Sequence, residues 1–228
     1  MSNDDLSVKM RIYLAEIYRL VDKEQPDDGY ISTSSLADML MVSPPAVNRM
    51  VNRLKELELL EHEPYQGIRL TETGEAEALM HLRAHRIAET FLSKVMGFDW
   101  DSIYTEASQI SPALTDVLID RMAAMSGNPQ FCPHGEPIPQ SDGTLSEIAD
   151  ILLSDAEAGS LVEVTRMRTR ESDRLSYIEA LGLLPERQLE VIHKAPFNGP
   201  MQLKIDNEYR IIGHNLAELI RVKVISTE

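Results

Sequence analysis

Apolar residues at positions 47, 50, 51, 54 and 57 recur at helical spacing within SPPAVNRMVNRLKEL, and two prolines stand directly ahead of them. That period fits a helix buried along one face and excludes a half-buried strand. The prolines start this helix rather than break it. Ser43 is a good N-cap residue, and Pro44 falls at the first helical position, where a missing N–H costs nothing. The opposite face carries Asn48, Arg49, Asn52 and Arg53, with Lys55 near its end and no acid before Glu56. These residue types bind phosphates and read base edges. A solvated helix face has the same composition, so the flanking sequence must decide.

Upstream, SSLADMLMVS places Leu36, Ala37 and Leu40 on a short helix joined by a tight turn to the helix beginning at Ser43. This is a helix-turn-helix layout with the second helix as reader. Downstream, LLEHEPYQGIRLTETG predicts two short strands around Pro64-Tyr65-Gln66-Gly67, a hairpin that serves as a wing, and Gly74 is expected to close the unit. Residues 1–74 therefore read as a winged helix-turn-helix that binds double-stranded DNA. The alternative is the same fold used as a protein-interaction module.

Composition bears on this reading through charge. The formal net charge is −15, and residues 1–74 hold eight Lys/Arg against thirteen Asp/Glu. Affinity depends on how many cations lie against phosphates, not on the average, and several of the acids cluster in DKEQPDD at 22–28. The acidic background weakens non-specific binding and leaves specificity to dimerisation and a few base contacts. The single cysteine, Cys132, excludes an internal disulfide and fits a reducing cytoplasm. No apolar run reaches the length of a membrane span, and MSNDDLSVKMR lacks signal-peptide character. There is no Gly-rich phosphate loop, HExxH or G-x-S-x-G, so no enzyme is expected.

Elsewhere, residues 6–22 predict a first helix and residues 75–96 a long one. Helical segments follow to about Met125, and Leu114, Val117, Leu118 and Met122 leave an apolar face that reads as a homodimer interface. Residues 126–143, rich in Pro and Gly, read as a tether. In 144–228, Leu145–Leu153 looks helical, and LVEVTRM, QLEVIHKA, MQLKID, EYRII and IRVKVI alternate like strands of a small SH3-like β-barrel. The fold class is α+β: an N-terminal winged helix-turn-helix (1–74), a helical dimerisation domain (75–125), a tether (126–143) and a small β-domain (144–228).

Over nearly its whole length the chain resembles the DtxR/MntR family of iron- and manganese-dependent repressors. The resemblance lies in IYLAEIYRL, VSPPAVNRMVNRLKELELLEHEPYQGIRLTETG, HRIAE and CPHGEPIP. The last domain is similar to the family's SH3-like domain and to the FeoA domain, at LSYIEALGLLPE and FNGPMQLKIDNEYRIIGHNLAELIRV, and under the protein-interaction alternative this domain and the winged helix would bind a partner such as a metal transporter. The resemblance implies a homodimer on a palindromic operator, with Ser43, Pro45 and Arg49 toward base edges and Asn48, Asn52 and Arg53 near phosphates. Arg49 stands where the family often has glutamine, and arginine prefers guanine.

The resemblance also implies where metal should bind. At the positions of the primary site this chain has Ile12, Ser108, Ser111 and Pro112, none of them a good ligand for Fe²⁺ or Mn²⁺. At the ancillary site His85 and Glu89 match, and Glu171 matches the last domain's acidic contribution. Tyr104 replaces a histidine and Arg174 an amide, and Arg174 is expected to pair with Glu89 in place of an ion. The primary site is expected to be lost, and metal dependence to be weak, altered or absent, with at most a weakly held divalent Mn, Fe or Zn. Cys132 and His134 in CPHG read as structural.

Overall fold

Ser7 starts the first helix, α1 (Val8–Glu24), by accepting the Met10 N–H on its hydroxyl (3.3 Å), and Gln25 ends it in the left-handed conformation. The computed structural model describes residues 6–227; residues 1–5, part of the stretch read above as lacking signal-peptide character, and Glu228 lie outside the described residues. Helix α2 (Thr33–Leu40) is capped by Ser32, whose hydroxyl accepts the Ser35 N–H at 2.9 Å. Met41, at φ +52°, then turns the chain into α3 (Pro44–Glu56). Ser43 occupies the N-cap position of α3 with extended backbone, yet its hydroxyl makes no capping bond. Val47, Val51 and Leu54 are fully buried, and each contributes about 1.5–3 kcal/mol by leaving water. They join Tyr13, Leu14, Ile17 and Leu20 of α1 and Leu36 of α2 in one core.

Strands β1 (Leu60–Glu63) and β2 (Gly67–Leu70) form the expected hairpin, with Glu61 opposite Arg69 and Glu63 opposite Gly67. Ile31 bridges to Ile68 and seats the wing on the start of α2. The approach is close enough to require glycine: a Cβ on Gly67 would stand 2.1 Å from the Ile31 carbonyl oxygen, at φ +121°. Gly74 does not close the unit. It lies in the first turn of α4 (Glu72–Lys94), donates its N–H to the Thr71 hydroxyl (3.1 Å), and packs its Cα face against the Leu59 carbonyl. The long helix therefore starts earlier than its apolar spacing suggested.

The chain divides into two units, Met1–His85 with Pro139–Thr144 and Arg86–Ile138 with Leu145–Glu228. In the second, α5 (Ile103–Ile110) gives way at Ser111–Ala113 to a 3₁₀ turn containing Pro112, and α6 (Asp116–Met125) follows. Ala88 and Leu92 of α4 pack with Ile103 and Ala107 in a small core, with Leu114 and Met122 half-buried beside it. Val117 and Leu118 of α6 remain exposed.

The rest of this unit is a six-stranded antiparallel sheet of SH3-like type. Its strands are β3 (Ile151–Leu152), β4 (Ser160–Met167), β5 (Gln188–Lys194), β6 (Met201–Ile205), β7 (Glu208–Ile212) and β8 (Ile220–Thr227), in the order β3-β8-β4-β5-β6-β7. Helices α7 (Ser172–Ala180) and α8 (His214–Ala217) interrupt it. Inward residues alternate along β4, and Val164 lies opposite Val222 of β8. The helix expected over Leu145–Leu153 does not form. The buried carboxylate of Asp150 instead accepts hydrogen bonds from Arg166 Nε (2.9 Å), Thr165 Oγ1 (2.8 Å) and Arg221 Nε, while Ile151 and Leu152 pair with β8. Two guanidiniums and a strand partner outweigh the helix propensity of a short segment.

Candidate metal centre and DNA-reading helix

Because the apolar stripe of α3 is buried, its other side faces outward: Ser43, Pro44, Pro45, Asn48, Arg49, Asn52 and Arg53 are all exposed. The Ser43 hydroxyl makes no cap and so remains available. Arg53 reaches Glu56 at 3.0 Å, but both are more than half exposed, so the pair contributes little. The wing is more firmly tied. Arg69 donates to Glu61 at 2.6 Å and lies 4.7 Å from the centre of the Tyr30 ring. Tyr65, at the tip, is fully exposed.

A second constellation forms where the CPHGEPIP segment meets α4. Among the described residues, one group of His, Cys, Asp or Glu side chains could hold a metal ion: Glu89, Cys132 and His134, all buried, with ligand atoms within 4.8 Å of one another. The segment is folded tightly. Cys132 N–H donates to the Glu136 carbonyl (2.9 Å) and Gly135 N–H to the Cys132 carbonyl (2.8 Å). Gly135 adopts φ +85° and presses so closely on β4 that a Cβ would stand 1.9 Å from the Thr165 oxygen. Arg86, three residues before Glu89 on α4, clamps the segment by donating to the Pro137 carbonyl (2.6 Å) and Glu136 (3.0 Å).

The electrostatics suit a cation. His134 Nε2 lies 3.0 Å from the Trp100 carbonyl oxygen, which can only accept, so Nε2 carries a hydrogen. Nδ1 is thereby turned to Glu89 Oε1 at 3.2 Å. Burial, reinforced by the negative charge of Glu89, pushes the Cys132 thiol pKa well up. The thiol proton sits where a divalent ion would replace it. Imidazole, thiolate and carboxylate are ordinary donors for Fe²⁺ and Zn²⁺, and the donor set fits such an ion.

The sequence-predicted residues are only partly brought together. Glu89 belongs to the cluster. His85, buried one turn earlier on α4, is not a member, and neither is Glu171, whose side chain is 64% exposed at the N-cap of α7. Arg174 does not pair with Glu89; it bonds Glu171 at 2.8 Å. Tyr104 lies under the guanidinium of Arg170, 5.1 Å away. Cys132 and His134, read as structural, supply two of the three donors, and their Cys-x-His spacing was the available signal. At the primary-site positions, the Ser108 hydroxyl is spent on the Tyr104 carbonyl (2.8 Å).

A buried Cys/His/Glu cluster in a chain that also carries an exposed basic reader helix defines a class: DNA-binding regulators that answer to metal. Comparison with known proteins agrees. Residues 5–68 match the iron dependent repressor N-terminal DNA binding domain. Residues 71–140 match that repressor's metal binding and dimerisation domain, and residues 151–224 the FeoA domain. The HTH-type transcriptional regulator MntR of Listeria welshimeri is 35% identical over 113 residues, covering 50% of this chain and 76% of that protein. The iron-dependent repressor IdeR of Mycobacterium leprae is 24% identical over 235 residues, covering 97% of this chain and all of that one. A solved manganese-dependent transcriptional repressor in complex with manganese superposes with a TM-score of 0.88 at 29% identity, covering 95% of this chain and 100% of that one. The chain belongs to the DtxR/MntR family of metal-dependent repressors, whose members are transcriptional repressors and not enzymes. Among the described residues no helix is long and apolar enough to cross a membrane.

Proposed function

We propose that this protein is a homodimeric, sequence-specific transcription regulator whose metal response has moved from the family's primary site to Glu89, Cys132 and His134. Residues 1–74 bind the operator, residues 75–125 dimerise through the face that exposes Val117 and Leu118, and the segment 126–143 brings Cys132 and His134 to α4. In the reader helix, Ser43, Pro45 and Arg49 meet base edges while Asn48, Asn52 and Arg53 hold phosphates. The observation carrying the metal reading is the convergence of three buried ligand atoms within 4.8 Å. Ile12, Ser108, Ser111 and Pro112 offer no comparable set. A thiolate donor favours Fe²⁺ or Zn²⁺ over Mn²⁺.

Equilibrium titration of metal-free protein with Fe²⁺, Mn²⁺ or Zn²⁺ tests this reading. One site per chain is expected, lost in Cys132→Ser and retained in Glu171→Gln. Metal binding that survives Cys132→Ser would overturn it. Replacing Arg49 and Arg53 with alanine is expected to abolish operator binding without lowering the unfolding temperature.

A further inference from the structure

We infer that Trp100 is the positioning residue of the metal centre, holding His134 in the orientation an ion needs and fastening the ligand loop to the C-terminal sheet. The inference deepens the proposed metal response and rests on that reading.

Trp100, the chain's single tryptophan, touches the loop in three ways. Its carbonyl oxygen accepts from His134 Nε2 at 3.0 Å, which commits that nitrogen as a donor and leaves Nδ1 as the one that can ligate. Its indole Nε1–H donates to the carbonyl of Pro133 at 2.8 Å, fixing the residue between the two loop ligands. Its ring lies 4.8 Å from the imidazole centre at 52°, closing one side of His134. An imidazole with one nitrogen committed, one face covered and its preceding peptide tied has little freedom left to lose when an ion arrives. This is the role of the outer groups around metal ligands, whose removal costs about 10–100-fold in affinity.

Trp100 is itself held from two sides. It packs against the small core of Ala88, Leu92, Ile103 and Ala107, and also against the core of the C-terminal sheet. The next residue, Asp101, accepts hydrogen bonds from Ser176 and, at 3.5 Å, from Ser172, both on α7. From the opposite side the Met167 N–H of β4 donates to the His134 carbonyl at 3.0 Å. The ligand loop is thus gripped between the Trp100 turn and the sheet. Order at the ion and order in the C-terminal domain share these contacts.

Cobalt(II) alone, added to the metal-free full-length protein, tests the inference with two independent signals. Thiolate-to-cobalt absorption reports Cys132, and Trp100 emission reports the ring beside His134. In the wild type both are expected to change together and saturate at one ion per chain. Trp100→Phe keeps an aromatic ring and the backbone carbonyl but loses the indole N–H. It is expected to retain the thiolate absorption while binding cobalt about tenfold or more weakly. Ile103→Val, which trims the same small core without touching these bonds, is expected to lower the unfolding temperature and leave cobalt affinity unchanged. Equal affinity in Trp100→Phe and wild type would overturn the positioning role while leaving the metal site standing. Absence of thiolate absorption in the wild type would instead remove the metal reading, and this inference with it. Should Trp100→Phe fail to fold, the wild-type emission still decides: no change while the thiolate absorption saturates overturns the inference.

Discussion

Cys132 and His81 show at the scale of single residues how burial sets proton chemistry here. The Cys132 thiol is protonated because burial and the nearby Glu89 carboxylate disfavour a thiolate. An ion entering the site must therefore displace that proton, and affinity is predicted to rise with pH by about tenfold per unit for each proton released. Cobalt or zinc titrations between pH 6 and 8 check this, and a flat profile would contradict it. His81 is pushed down to about 4, first by burial and then by its neighbours His85, Arg19 and Arg11, against the opposing carboxylate of Glu16. Its folded-state pKa lies below the unfolded value, so the unfolded chain takes up its proton first. The stability tied to neutral His81 is fully present above about pH 6.5 and is lost as pH falls toward 4. His81→Gln is predicted to flatten that part of the stability-against-pH curve in urea unfolding. Only part of this was legible in the sequence. Glu89 stood among the candidate ligands, but Cys132 and His134 read as structural, and Glu89 and His134 stand 45 positions apart on different elements with no local pattern to join them.

The elements differ in how much they owe to local sequence. The reader helix was legible because one stripe of apolar residues and a proline start fix both its span and its buried face. The wing was legible from PYQG, but its seat on Ile31 was not. Gly67→Ala is predicted to cost about 1–3 kcal/mol, since the new methyl meets the Ile31 oxygen and the residue is strained at φ +121°. Thermal unfolding of the variant measures this. The start of α4 was misjudged because Gly74 looks like a helix breaker, whereas contact with Leu59 makes glycine a packing requirement there. Residues 145–153 were misread for a related reason: Arg166 and Arg221, which hold Asp150, are contributed by distant strands. Burial raises the Asp150 pKa, but hydrogen bonds and charge from Arg166 and Arg221 outweigh it, and the net direction is down. Its stabilising contribution is therefore present above the unfolded carboxyl pKa and is lost as pH falls through the lower folded value. Asp150→Asn leaves buried guanidiniums without their counter-charge and is predicted to destabilise by about 3–5 kcal/mol at neutral pH.

For the whole molecule, a net charge of −15 on a DNA-binding protein means that long-range attraction contributes little and that recognition rests on few cations. Two copies of the reader helix then supply together what one cannot, and the exposed Val117 and Leu118 of α6 are the face proposed to join them. Val117→Glu with Leu118→Glu is predicted to yield monomers in sedimentation and to abolish operator binding while each chain stays folded. The three-part layout was visible in the sequence because each part has its own periodicity. The Glu89/Cys132/His134 cluster was not, because it is assembled by the packing of a tether onto a helix. The most direct test of the account is selection of binding sites from random duplexes at fixed moderate salt, for wild type and Cys132→Ser, in chelator and then with Fe²⁺, Zn²⁺ or Mn²⁺. The account predicts a palindrome enriched by the wild type more strongly with metal than in chelator, and no metal enhancement for Cys132→Ser. Equal enrichment by the wild type in chelator and in metal, or the same metal enhancement in both proteins, would contradict it.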